Sequence, residues 1–251
     1  MESKRAAGMG VVKDEVFKEP KGRLSDFVFD EEVVRVFDDM VDRSVPYYAE
    51  IQRMITELAH AFVKDGTRVY DLGCSTGTAL SLISRGLDKD VELVGVDSSA
   101  PMLEECRQKL VKSGVDRPFQ LFEADLSMPF QIENASVVLL VLTLQFLRPL
   151  YRPSLLKAIY DGLAKGGALL LVEKVLSADA GLNRLFIRFY YDYKRRVGYD
   201  ELEISQKREA LENVLVPYRP EENVELLKEA GFQTIETFFR WYNFMGFVAV
   251  K

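Results

Sequence analysis

Three aspartates stand where three apolar stretches end. Asp71 closes "TRVYD", Asp97 closes "VELVGVD" and Asp125 closes "FQLFEAD". After the first comes "YDLGCSTGTAL", where Gly73 and Gly77 let the backbone turn tightly and approach a ligand at the start of a helix. An acid at the second strand end can accept both hydroxyls of a ribose. The glycine spacing is not GxGxxG, and a carboxylate precedes it. A dinucleotide brings a pyrophosphate to be cradled, whereas a carboxylate-bearing turn suits a nucleoside with a cationic centre. Any one of these acids, taken alone, reads as a cap or a solvated strand end. Three at consecutive strand ends, beside a glycine loop, read as a ligand site.

Other chemistries lack their residues. His60 is the one histidine, in "ELAHAFV", and reads as a solvated surface residue. With the one histidine read at the surface, a Ser-His-Asp triad, a Cys-His dyad at the nucleotide loop and a multi-histidine metal site are not expected, and no metal is expected. The two cysteines, Cys74 and Cys106, have no CxxC spacing, so neither a zinc site nor a disulfide framework is expected. That usage points to a reducing cytoplasm. The net charge of -6 over 251 residues argues against a surface that coats nucleic acid. The longest apolar run, "ASVVLLVLTLQFL", is too short and too β-branched to span a bilayer and reads as a buried strand; the first residues carry no apolar core of signal-peptide length.

The elements that must position the acids follow from periodicity. Residues 1–24 are polar and aperiodic, and read as a mobile tail ahead of a single domain over 25–251. Two helices are expected within 30–65: "FDEEVVRVFDDMV", with Asp30 as cap, and "SVPYYAEIQRMITELAHAFVKDG", whose Tyr48, Ile51, Ile55, Leu58 and Phe62 recur at three- and four-residue steps. Strands and helices then alternate to "ALLLVEKV", which predicts a mostly parallel sheet with helices on both faces. A helical insertion over about 177–218, rich in Arg, Lys and Tyr, interrupts the pattern. A helix and two strands, "FQTIETFFRW" and "NFMGFVAVK", close the chain, and the short link near Asn243 makes those strands antiparallel.

The loop "YDLGCSTGTAL" resembles motif I of S-adenosyl-L-methionine (SAM) enzymes. The larger set "FVFDEEVVRVFDDMVDRSVPYYAEIQRMI", "IENAS", "LTLQFL", "YDGLAKGGALLLVEK" and "GYDELEISQKREALENVL" resembles the carboxy-S-adenosyl-L-methionine synthase family over nearly the whole chain. The resemblance implies the α/β, Rossmann-like, seven-stranded SAM methyltransferase fold, mostly parallel with a C-terminal antiparallel hairpin. It implies that SAM and prephenate give carboxy-SAM and phenylpyruvate. The carboxymethyl group then passes, through a partner tRNA carboxymethyltransferase, to the wobble uridine of tRNA. It also implies a homodimer. The missing histidine suits this chemistry, because the hydroxide leaving prephenate can take the proton from the sulfonium methyl. Carried over by position, the cofactor site falls on Tyr48, Gly73, Cys74, Ser75, Asp97, Ser98, Asp125, Leu126 and Arg208. Arg208 is to bind the added carboxylate, and Tyr48 to offer its hydroxyl to the same end of the ligand; read without the resemblance, Tyr48 is a core residue of its helix.

Two positions depart from the family: Val141 stands where an Asn is usual, and Ser98 where an Asn follows the ribose acid. A conventional small-molecule SAM methyltransferase, or a SAM-binding partner without catalysis, therefore stays open. In "YDELEISQKREALENVL", Lys207 and Arg208 border an apolar stripe of Leu211, Val214 and Leu215. The cluster Arg184, Arg188, Lys194, Arg195 and Arg196 reads first as a solvated helix face, second as a cationic lid for a dianion. Phe186, Phe189, Tyr190, Tyr191 and Tyr193 read as lid core or as a subunit contact.

Overall fold

A computed structural model describes residues 12–20 and 27–251. Helices α1 (Glu31–Ser44) and α2 (Tyr48–Phe62) precede β1 (Thr67–Leu72), α3 (Thr78–Ser84), β2 (Val91–Asp97), α4 (Ala100–Lys112), β3 (Phe119–Glu123) and β4 (Ala135–Val141). Then come α5 (Arg152–Gly162), β5 (Leu163–Lys174), α6 (Ala180–Arg196), α7 (Glu201–Glu212), α8 (Pro220–Ala230), β6 (Thr234–Trp241) and β7 (Phe244–Val250). The strands form one sheet in the order β3-β2-β1-β4-β5-β7-β6. The first five are parallel, and β7 runs antiparallel between β5 and β6. This is the expected mostly parallel sheet with a terminal hairpin.

Strand β4 is buried along its first six residues, as its unbroken apolar run requires. One apolar cluster lies between the sheet and α5 and α8; another joins the opposite face to α2, α3, α4 and Tyr190 of α6. Asp30 caps α1 through the amides of Glu32 and Val33, and Ser99 caps α4 through that of Met102. Helix α5 stops at Gly162 and β5 begins at once. At Gly162 a Cβ would lie 2.3 Å from the Ile132 carbonyl, so the chain passes too close there for a bulkier helix end.

Two expectations are corrected here. Residues 12–20 belonged to the expected tail, yet they pack against α1 and α7. Asp14 is 1% exposed and accepts from the Tyr199 hydroxyl at 2.6 Å, and Phe17 is buried. A buried carboxylate with charged and hydroxyl partners ties this stretch down. Residues 1–11 and 21–26 of that tail lie outside the described residues. Helix α7 does not bury the stripe read from its sequence. Its buried residues are Glu203, Ile204, Gln206, Lys207 and Ala210, because it packs on a polar seam formed by the docked N-terminal segment. Asp200 and Glu203 close its first turn as a reciprocal capping box.

Candidate functional site

The carboxyl ends of β1, β2 and β4 meet at one edge of the sheet. The chain leaves β1 through Gly73, whose φ of 84° is open to glycine at low cost. A Cβ there would lie 2.4 Å from Thr143 Oγ1, so the loop after β4 presses directly on this turn. Gly77 has φ 79° and starts α3 against Cys106 of α4. The two glycines are therefore set by close approach as well as by conformation.

The loop spends its amides inside the protein. Gly73 N and Cys74 N both donate to the Val96 carbonyl, at 2.7 and 3.0 Å, and Gly77 N donates to the Cys74 carbonyl at 2.8 Å. Ser75, at φ 47°, donates its amide to Asp97 Oδ2 at 2.9 Å, and Ser99 N donates to Asp97 Oδ1 at 2.9 Å. The amides of Gly73, Cys74, Ser75 and Gly77 are thus committed within the protein. The turn presents carboxylates. Asp97 keeps lone pairs to accept further hydroxyls, since each carboxylate oxygen takes two hydrogen bonds.

Asp71 is buried at the end of β1. Loss of water and the neighbouring charge of Asp97 push its carboxyl up to about 7. Burial also raises Asp97, against the pull of its three backbone donors. Two adjacent carboxylates held in this way favour a cationic ligand, which relieves both. Tyr48 stands at the start of α2, partly buried, and its hydroxyl is pushed up by burial and by Asp71, Asp38 and Asp42. It thus belongs to the same acidic end of the sheet, while its ring packs on the apolar cluster under α2. Asp38 of α1 binds Thr76 Oγ1 and Lys109, which pins the loop to α1 and α4.

The structure brings Tyr48, Gly73, Cys74, Ser75 and Asp97 together. Ser98 is exposed at the β2 end, Asp125 is exposed just past β3, and Leu126 beside it is buried. Asp125 Oδ1 accepts from Ser127 N at 2.8 Å, so part of its role is to shape its own turn. Cys74 is buried and in contact with Cys106, and burial with that contact raises its thiol, which fits a packed residue better than a nucleophile. Val141 ends β4 half-buried, paired in register with Val172 of β5.

Arg208 is not gathered with them. It is exposed on α7, and among the described residues it makes no hydrogen bond or ion pair, to Glu212 or to the strand ends. The cation that α7 does bury is Lys207, which binds Ser44 Oγ at 2.9 Å and Asp14 Oδ2 at 3.4 Å. Arg184, Arg188, Arg195 and Arg196 are exposed, as a solvated face requires, and Arg195 pairs with Asp192 and Glu201. Lys194 departs from that reading, being buried. His60 also departs: it is half-buried, with Nε2 2.8 Å from the Ile83 carbonyl, because α2 packs on α3 there. Sequence reasoning missed Thr143, Lys174 and Glu173. A lysine and a glutamate ending a wholly apolar strand were the available signal. Among the described residues no group of three His, Cys, Asp or Glu is placed to hold a metal ion, and no helix is long and apolar enough to cross a membrane.

Known proteins resemble this chain in sequence and in fold. The family profile described as "Methyltransferase domain" matches residues 69–167, from β1 into β5. A relative from Methylococcus capsulatus, named carboxy-S-adenosyl-L-methionine synthase, is 53% identical over 95% of this chain and 99% of its own. A relative of the same name from Desulfotalea psychrophila is 47% identical over 95% and 97%. Among solved structures, the SAM-dependent methyltransferase SibL is similar with a TM-score of 0.60 at 16% identity, covering 88% of this chain and 58% of that one. A SAM-dependent methyltransferase from Aquifex aeolicus is similar with a TM-score of 0.57 at 15% identity, covering 89% and 99%. At such identities the structural likeness establishes the fold.

Proposed function

Since this chain belongs to the carboxy-S-adenosyl-L-methionine synthase family of enzymes, we propose that it carboxylates the S-methyl group of SAM, with prephenate as donor and phenylpyruvate as coproduct. The observation that carries the reading is the buried Asp71 beside Asp97, next to a glycine loop whose Gly73, Cys74, Ser75 and Gly77 amides already have acceptors. That edge suits a nucleoside bearing a sulfonium and an ammonium, and it disfavours a pyrophosphate.

The atoms balance without a protein base. Prephenate, a dianion, aromatises to phenylpyruvate and releases carbon dioxide and hydroxide. The hydroxide removes a proton from the sulfonium methyl and becomes water. The resulting ylide carbon attacks carbon dioxide and forms the carboxymethyl sulfonium. The protein's part is to hold the reactants together and keep water out. Asp97 is to accept the ribose hydroxyls. Ser98, Asp125 and Leu126 are to border the base, and Gly73, Cys74 and Ser75 to line the amino-acid end. Tyr48 is to offer its hydroxyl near the reacting carbon. Arg208 is to hold the new carboxylate, as a guanidinium engages both oxygens. It faces solvent in one chain, so this role requires contact beyond the chain's own packing, which the proposed homodimer would allow. The product is to be handed to a tRNA carboxymethyltransferase in the cytoplasm, with no direct contact to nucleic acid or membrane.

The alternative, methyl transfer to a small molecule, is favoured by Val141 alone, which removes one polar contact from the ligand side. Incubating the protein with SAM and prephenate separates the two readings. Formation of phenylpyruvate in step with carboxy-SAM is expected. Consumption of neither substrate would overturn the synthase reading.

A further inference from the structure

Between α6, α7 and the end of β5 lies a row of cations interleaved with rings. Lys174 Nζ is 5.0 Å from the centroid of Tyr190, and Lys194 Nζ is 5.2 Å from the same ring. Lys194 Nζ also lies 5.6 Å from the centroid of Tyr199, and Lys207 Nζ 5.3 Å from it. Arg43 stacks on Tyr199 at 3.9 Å. Four cations thus share two tyrosines.

Their anions do not match them. Lys207 has Asp14 within ion-pair distance, and Arg43 has Asp39. Glu203, the remaining buried acid nearby, accepts from the amide of Asp200 in its capping box. That leaves Lys174 and Lys194. Among the described residues neither ammonium makes a hydrogen bond or an ion pair; Lys194 is 5% exposed and Lys174 partly buried, and both Nζ atoms keep contact with solvent. Burial pushes Lys174 down to about 8, with no neighbouring charge to offset it, and holds Lys194 well below its ordinary value, helped by Lys207 and Lys174. Ring faces compensate a partly desolvated ammonium only in part. Two ammoniums without a protein anion, beside one ring and open to solvent at their tips, suit an anion that arrives from outside.

Their place says which anion. Lys174 ends β5, two residues past Val172, which pairs in register with Val141 at the end of β4. Its backbone N–H donates to Gln145 Oε1 at 2.9 Å, which fixes it against the loop after β4 that also presses on Gly73. The pair therefore sits beside the strand ends that receive the sulfonium ligand, on the side of α6.

We propose that Lys174 and Lys194, which both lie against the ring of Tyr190, form an anion subsite that takes a carboxylate of the second substrate. The identity of that substrate as prephenate rests on the function proposed above; the subsite itself rests on the unpaired lysines. Calorimetric titration of the full chain tests both. Prephenate, malonate and SAM are titrated separately into the wild type, Lys174→Met and Lys194→Met, and the melting temperature of each free protein is measured. Each substitution is expected to weaken prephenate and malonate by about 10- to 100-fold, the loss of a charge-assisted contact, while SAM affinity stays within about two-fold. The free variants are expected to melt no lower than wild type, because a partly desolvated charge without a protein anion has been removed. Unchanged prephenate affinity in both variants would overturn the subsite. So would variants that melt lower and lose SAM and prephenate alike, since the lysines would then be structural. Malonate binding that depends on both lysines, with no prephenate binding, would keep the subsite and remove prephenate as the donor. Failure of the wild type to bind either anion would remove both.

Discussion

At the scale of single residues the candidate site is set by what glycine permits and what carboxylates lack. Replacing Gly73 by Ala puts a Cβ at positive φ and against Thr143, so we expect a loss of about 1–3 kcal/mol of stability. SAM affinity should fall with it, and Thr143→Ala in the same chain should recover part of the stability; calorimetry and denaturant unfolding measure both. A second outcome concerns pH. Burial pushes Glu173 from 4.5 up to about 8, and Asp71 from 3.8 up to about 7. Between those values the folded protein binds protons that the unfolded chain has released. Their contribution is complete below the unfolded values and is lost as pH rises through the folded ones. Glu173→Gln should therefore flatten the decline of unfolding free energy between about pH 5 and about pH 8. Urea unfolding at the two ends checks it, in a window below that in which Lys174 and Lys207 titrate oppositely. Asp71, Gly73 and Asp97 were legible in the sequence because each marks a strand end. Lys174 and Glu173 were not, because a polar residue after an apolar run reads as exposed until the next helix covers it.

At the scale of elements, the parallel sheet and its antiparallel close were legible from alternation and from the two-residue link Tyr242–Asn243. What the sequence hid was the face that α7 buries and the segment it packs on. Periodicity assigns an apolar face to a helix, but α7 buries Glu203, Gln206 and Lys207 against residues 14–19, and that pairing is separated by some 190 residues in sequence. Arg208 and Lys207 were adjacent candidates, and a shift of one residue on a helix turns a side chain by about 100°. The structure buries one and exposes the other. Asp14→Asn removes the carboxylate that offsets Lys207 and accepts from Tyr199, so it should cost about 3 kcal/mol. Hydrogen exchange should then quicken in α7 and in 12–20, and stay unchanged in β4.

At the scale of the whole molecule, the proposed nucleoside site lies at the carboxyl ends of β1 and β2, and the row of lysines and tyrosines at the end of β5. A cationic ligand meets acids, and an anionic one meets lysines, on neighbouring parts of one sheet edge. In the proposed reaction the ring carboxylate of prephenate becomes the carboxylate of carboxy-SAM. The most direct test follows that carboxyl group. Prephenate carrying heavy carbon only in its ring carboxylate is incubated with the protein and SAM, and the nucleoside product is weighed. The account predicts a product heavier than SAM by one labelled carbon dioxide, formed together with unlabelled phenylpyruvate. A product without the label, or a methylated acceptor with S-adenosylhomocysteine and no carboxy-SAM, would contradict it.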